Sequence, residues 1–202
     1  QVTGVQTCAL PILDEVVTNI DKLRGVALDQ YGYVTASQAA DAGVGKAALG
    51  MLNKRGRVER VAHGVYRVPQ VPFTEHDRFM LAVLWTGAKE AAISHETALD
   101  VYGVCDVNPG TIHVTVTKGR RISRRGGEGY ELHREEVSPA DLTWWEGIPT
   151  IAPAKAIEQC IDYGTPTHLI IQAIENARAR GLILEEEEGA LRAKLKARNE
   201  GA

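Results

Sequence analysis

Apolar residues in the first quarter of the chain recur at the spacing of short amphipathic helices. The first helix predicted in this way ends near Gly32, a residue suited to the left-handed position after a helix. A second short helix follows Thr35, which fits an N-cap, and a third is predicted over Lys46–Lys54. The apolar stripe of the first helix consists of Val16, Ile20, Leu23 and Ala27.

Two short runs of alternating apolar residues follow, at 58–61 and 65–68. They flank Ala62, His63 and Gly64, and the glycine stands where a tight hairpin needs a positive φ. Helix, short helix, turn, helix and hairpin is the order of a winged helix-turn-helix. We place this domain at residues 13–70.

The rest of the chain, residues 73–202, mixes both periodicities after a proline-flanked linker at 69–72. The predicted fold class is therefore α+β, an N-terminal winged helix-turn-helix followed by a larger mixed α+β domain. Within the larger domain the strand at 130–133 is expected to return beside the first strand, and that at 148–151 to lie at an edge. Helices are predicted at 74–85, 95–102, 154–163, 166–180 and 186–198, and strands at 111–117, 130–133 and 148–151.

Residues 2–12 read as the in-frame translation of a common sequencing adaptor. We therefore expect residues 1–12 to be non-native and leave them out of the fold prediction. No apolar run approaches the ~20 residues of a membrane span, so no membrane association is predicted. The three cysteines are too few and too scattered for a disulfide framework, and a reducing cytoplasm is the expected setting.

Charge is distributed unevenly along the 202 residues, whose net charge is −3. Residues 44–68 hold six basic side chains against one acidic, a net charge of +5. Residues 73–202 hold 15 basic and 20 acidic side chains, a net charge of −5. Because lysine and arginine displace the counterions of duplex DNA, this polarity predicts a DNA-binding head on an acidic body.

The third helix of this motif enters the major groove, where Lys46 can reach guanine and Asn53 adenine. The other members of the set are expected to grip phosphates from the helix ends and the wing, or to touch the minor groove. The predicted DNA-binding residues are Thr35, Ser37, Gly45, Lys46, Asn53, Lys54, Arg55, Arg57, Arg60, His63 and Arg67.

A second basic segment follows the first strand of the body. It is either a further phosphate-binding surface or a solvated loop, and the sequence leaves both open. Its residues are Lys118, Arg120, Arg121, Arg124 and Arg125.

No catalytic residue, metal site or cofactor is predicted. No phosphate-binding glycine loop, nucleophile elbow or nuclease-like group of carboxylates with a lysine is present. The body does contain His95, His113 and His133, of which the last two can face each other across adjacent strands. Histidines on sheets are mostly packing or surface residues, so we do not predict that these bind a metal.

Several sequence motifs occur in a specific order along the chain. Residues 32–68 have a G-x-V-T entry, a G-V turn, a basic R-G-R exit and a G-V-Y-R wing. These motifs resemble the N-terminal domain of AbiEi-type antitoxins. The family's C-terminal region is similar to four segments of the body, AAISHETALDVYGVCDVNP, IHVTVTKGRR, ELHREEV and GIPTIAPAKAIEQCID. The departure is Gly45, where many relatives have serine or threonine, and a glycine there removes one side-chain contact to a phosphate or base.

This resemblance implies a transcriptional autoregulator of a type IV toxin–antitoxin or abortive-infection system. Such a protein binds inverted repeats of double-stranded operator DNA and counters a nucleotidyltransferase-like toxin without a stable complex. Two alternatives stay open. One is a stand-alone transcriptional regulator whose C-terminal domain senses a ligand or dimerises, and the other is a nucleic-acid-processing enzyme with a winged-helix substrate-binding head.

Overall fold

The structure, a computed structural model, describes residues 17–122 and 126–201. Its N-terminal part contains three helices and a small antiparallel sheet in the strand order β1-β3-β2. The elements are α1 (Asn19–Leu28), β1 (Tyr33–Thr35), α2 (Ala36–Asp41), α3 (Lys46–Lys54), β2 (Glu59–Ala62) and β3 (Val65–Arg67).

Local chemistry explains these boundaries. The Thr35 side chain accepts a hydrogen bond from the Gln38 amide at 3.2 Å, and the Gln38 side chain accepts one from the Thr35 amide at 2.9 Å, which closes a capping box. Gly64 takes a φ of 71° in the turn between β2 and β3. Strand β1 pairs antiparallel with β3 and completes the small sheet. The winged helix-turn-helix is confirmed.

The larger part contains five helices and five strands within the described ranges. The strand order is β6-β5-β4-β8-β7, and the buried residues of the sheet and of the surrounding helices form one core. No described helix has the length and hydropathy to cross a membrane. The elements are α4 (Asp77–Thr86), β4 (Ala92–Ile93), α5 (His95–Tyr102), β5 (Ile112–Thr117), β6 (Tyr130–Glu135), a 3-10 turn (Pro139–Asp141), β7 (Leu142–Trp145), β8 (Ile148–Ile151), α6 (Pro153–Tyr163), α7 (Thr167–Ala179) and α8 (Glu185–Glu200).

Two strand predictions for the body were wrong. Strand β6 runs parallel to β5, so the basic segment is a crossover and not a hairpin. Strand β8 lies inside the sheet between β4 and β7. Pro149 is tolerated there because β4 is only two residues long and pairs with β8 at Ile93 and Thr150 alone. The edge strand on this side of the sheet is β7, where Trp144 is 70% exposed.

The two parts share packing. Tyr33 and Val65 of the small sheet belong to the core cluster of the body, while a second cluster around Leu23 and Leu49 fills the N-terminal part. Across the junction the Tyr31 hydroxyl donates to the Glu146 carbonyl. Movement of the N-terminal part therefore disturbs buried contacts of the body.

Candidate functional site

The helix that we predicted to enter the DNA groove presents basic side chains on its outer side. Leu49 of α3 is buried in the N-terminal core, while Lys46 at its start and Lys54 at its end are exposed. Arg55 and Arg57, in the segment that leads to the wing, are exposed too. The fold therefore separates the apolar face of α3 from a solvent-facing set of cations.

The start of α3 is open to an anion. Gly45 is the N-cap and offers no side-chain hydrogen bond to the first turn, and Lys46 follows directly. Amides of a helix start that carry no side-chain cap favour a negatively charged partner. This arrangement fits a DNA phosphate at this point.

Asn53 and Arg60 connect α3 to the wing. The Asn53 side-chain oxygen accepts a hydrogen bond from the Arg60 amide at 3.1 Å. Reading adenine requires both the oxygen and the amide group of an asparagine, so this bond opposes the base-reading role that we predicted for Asn53. The Arg60 side chain is exposed, and it lies 3.5 Å from the His63 ring at the wing tip.

The remaining predicted contacts of α2 and the wing line a cleft of about 720 Å³ between the two parts of the chain. Thr35, Ser37 and His63 stand on one side of it, and Lys89 and Trp144 on the other. The Thr35 hydroxyl donates to Gln38 within the capping box at 2.9 Å. These three residues therefore face the body across the cleft as well as solvent.

Arg67 has to be removed from the predicted DNA-binding set. It is 2% exposed and forms an ion pair with Asp77 at 3.5 Å. Its guanidinium also donates to the Val71 carbonyl at 3.0 Å and lies 3.3 Å from the ring centre of Phe73. The alternation of the wing strand turns this arginine inward, toward a buried carboxylate that only the tertiary fold supplies.

The basic residues of the second segment differ in their contacts. Lys118, Arg120 and Arg121 are all exposed, but Arg120 also donates to the Gly87 carbonyl at 2.9 Å and lies 3.9 Å from Glu90. Arg120 is thus part of the body's own structure. Arg124 and Arg125 lie outside the described residues.

Three histidines meet on one face of the body sheet. His113 of β5 and His133 of β6 have ring nitrogens 2.9 Å apart, as the facing pair we had considered. His95, at the start of α5, stacks on His133 with ring centres 3.5 Å apart. The ring of Tyr163 from α6 stands edge-on to all three imidazoles, at centroid distances of 5.3 to 5.6 Å.

Burial keeps these imidazoles in the neutral form. Desolvation lowers the pKa of His95 to about 3 and that of His133 to about 4, and it lowers the pKa of His113 as well. Two carboxylates border the cluster. Glu135 lies 3.2 Å from His95, and Glu131 lies 3.9 Å from His113.

The contact of His95 with the other two histidines was not predicted from the sequence. Alternation along β6 does place Glu131, His133 and Glu135 on one face, and this signal was available. Parallel pairing with β5 and the approach of α5 were not available from the sequence, because both depend on tertiary packing.

These observations define the class of the N-terminal part, a winged helix-turn-helix with a basic recognition helix. Residues 21–69 match the model of a family described as "Transcriptional regulator, AbiEi antitoxin". The resemblance drawn from the sequence motifs is thereby confirmed over these residues. Over these residues the chain is therefore similar to that regulator family.

Among solved structures, the chain is similar to the RV2827C protein from Mycobacterium tuberculosis. The sequences are 16% identical, the TM-score is 0.43, and the match covers 85% of this chain and 79% of that chain. No curated protein matches the chain.

Proposed function

We propose that this protein is a DNA-binding antitoxin that represses its own type IV toxin–antitoxin operon and counters a nucleotidyltransferase-like toxin. Residues 13–70 serve as the DNA-binding head, and residues 73–202 as the antitoxin domain. The observation that carries the proposal is the exposed row of cations on and after α3, within residues that match a regulator family. Since its target is operator DNA, the protein acts in the cytoplasm.

The charges suit the task of the head. In this proposal Lys46, at the start of α3, contacts base edges. Lys54, Arg55 and Arg57, at the end of the helix and just after it, contact phosphates. An inverted-repeat operator takes two heads, from a dimer or from two monomers.

A salt titration tests the DNA-binding surface. Labelled duplex from immediately upstream of the coding sequence is titrated with the protein at several salt concentrations. If Arg55, Arg57 and Arg60 each contact a phosphate, changing all three to glutamine reduces the slope of log affinity against log salt by ~2.7. The matched control changes Arg178, Arg192 and Lys196 of the body to glutamine, which alters the net charge equally. An unchanged slope in the first variant, or an equal loss in both, refutes the surface.

A separate experiment tests the antitoxin function. The gene next to this one is expressed alone and together with the full chain, and growth is followed. We expect the neighbouring gene to encode a nucleotidyltransferase-like toxin and the chain to restore growth. The triple variant should restore growth as well, because its changes lie in the head. We expect no stable complex when the two proteins are purified together.

One observation favours the alternative of a stand-alone regulator that senses a ligand. The 720 Å³ cleft lies between the DNA-binding head and the body, so a molecule bound there contacts both. This alternative predicts operator binding without any growth-restoring activity. The growth experiment therefore separates the two functions.

A further inference from the structure

We propose that His95, His113 and His133 form a binding site for a divalent transition-metal ion of the zinc class. This site is distinct from the DNA-binding surface and does not depend on the proposed function. It lies on the body sheet where β5 and β6 meet the start of α5 and the end of α6.

The ligand atoms already converge. One ring nitrogen of each histidine can be chosen so that all three lie within 4.8 Å of one another. The His113 Nδ1 and His133 Nε2 atoms, 2.9 Å apart, subtend ~90° at an ion bound at ~2.05 Å from both. A tetrahedral ion places its nitrogens ~3.3 Å apart, so binding requires the third nitrogen to move inward by at most about 1.5 Å.

Neighbouring groups fix which nitrogen of His95 is presented. Its Nδ1 atom lies 3.1 Å from the buried Ser94 hydroxyl, which leaves Nε2 directed at Glu135. The buried Gln159 side chain donates to Glu135 at 2.6 Å, and its oxygen accepts from the His95 amide at 3.4 Å. Outer hydrogen bonds of this kind orient imidazole ligands in metal sites.

The two carboxylates beside the cluster favour the binding of a cation. Within residues 17–122 and 126–201, the ion-pair partners of Glu131 and Glu135 within 4.0 Å are these histidines alone. Tyr163 donates to Glu131 at 2.9 Å and holds that carboxylate beside the rings. A divalent ion would neutralise both carboxylates and use the imidazole lone pairs, and imidazole with carboxylate suits zinc and its neighbours.

The backbone of His95 supports a functional reading. Its φ is 49°, in the left-handed region that residues other than glycine rarely adopt. Such strain is retained where the surrounding structure requires one orientation, and it concentrates at functional sites. Here the strained residue brings its ring onto His133 and its Nε2 toward Glu135.

Calorimetric titration of the full chain with Zn²⁺, after chelator treatment and buffer exchange, tests the site. We expect one ion per chain and a rise in the melting temperature on binding. Changing both His113 and His133 to glutamine should weaken binding at least 100-fold. The matched control changes His63 and His168, which lie outside the cluster and are exposed, and it should bind like the parent chain.

A second measurement needs no variant. In the parent chain labelled with ¹⁵N-histidine, Zn²⁺ should shift the ring signals of three of the six histidines. The absence of stoichiometric binding, equal loss in both double variants, or ring shifts at other histidines would each overturn the proposal. Binding that survives the change of His113 and His133 would overturn it as well.

Discussion

The ion pair between Arg67 and Asp77 gives a sharp prediction for stability. The side chains are 3% and 7% exposed, and their charged atoms lie 3.5 Å apart. At an effective dielectric constant of ~20 this distance corresponds to a direct attraction of about 5 kcal/mol, most of which offsets the desolvation of the two groups. Removing one partner leaves the other charge buried without compensation, at a cost of about 3–5 kcal/mol.

The Asp77→Asn change is the cleaner perturbation. The Asp77 Oδ1 atom accepts hydrogen bonds from the Thr74 amide at 2.8 Å and the Thr74 hydroxyl at 2.7 Å, and asparagine can keep both. The loss then falls on the guanidinium of Arg67, whose Nε and Nη1 atoms have no hydrogen-bond partner in the described part of the chain. We expect a destabilisation of about 3 kcal/mol or more, which for a chain of this size lowers the melting temperature by roughly 10 °C.

A double-mutant cycle with Arg67→Met isolates the pair. The free energy of unfolding is measured by urea denaturation for both single variants and for the double variant. The double variant should lose about 2 kcal/mol less than the sum of the two single losses. If the loss of unfolding free energy in the double variant equals the sum of the two single losses to within about 0.5 kcal/mol, the two groups are independent and the reasoning fails. Arg67→Met should also leave the salt slope of DNA binding unchanged, whereas loss of a phosphate contact would lower it by ~0.9.

Substitution of two glycines by alanine should lower stability, and for each of them a second glycine supplies a control. Gly32→Ala places a Cβ 2.7 Å from the buried guanidinium, whereas Gly43→Ala shares the positive φ without such a clash. We expect the first variant to unfold at lower urea concentration than the second, and equal midpoints would contradict the packing. Gly127→Ala brings a Cβ within 2.5 Å of Trp85, and Gly129→Ala meets nothing within 4 Å. Gly127→Ala should cost about 1–3 kcal/mol and change the tryptophan fluorescence, and a silent Gly127→Ala would refute the contact.

The sequence predicted the local elements well and the long-range pairings poorly. Helix α3 and helix α5 lie where their capping and apolar spacing placed them. The direction of β6 and the interior place of β8 are tertiary outcomes, since alternation gives the faces of a strand but not its neighbours. The strand at 148–151 was predicted at the sheet edge because it contains Pro149, and proline in a strand normally indicates an edge strand.

The candidate site divides in the same way. Exposed cations such as Lys46 and Arg57 follow from charge and helix register. Arg67 shares the same sequence pattern, yet it is buried because Asp77 arrives from α4. The convergence of His95, His113 and His133 depends on the packing of three elements, α5, β5 and β6, so no spacing rule could find it.

The placement of Tyr33 and Val65 in the body's core has a consequence for how proteins of this design diversify. A head that buries part of its own sheet against its neighbour cannot be exchanged for another by recombination at the linker alone. Under the proposed function, a new DNA specificity is then reached more readily by surface changes on α3 than by exchange of whole domains. At the junction between head and body, a substitution on one side should accordingly need a compensating substitution on the other side. On the exposed face of α3, single substitutions should be tolerated.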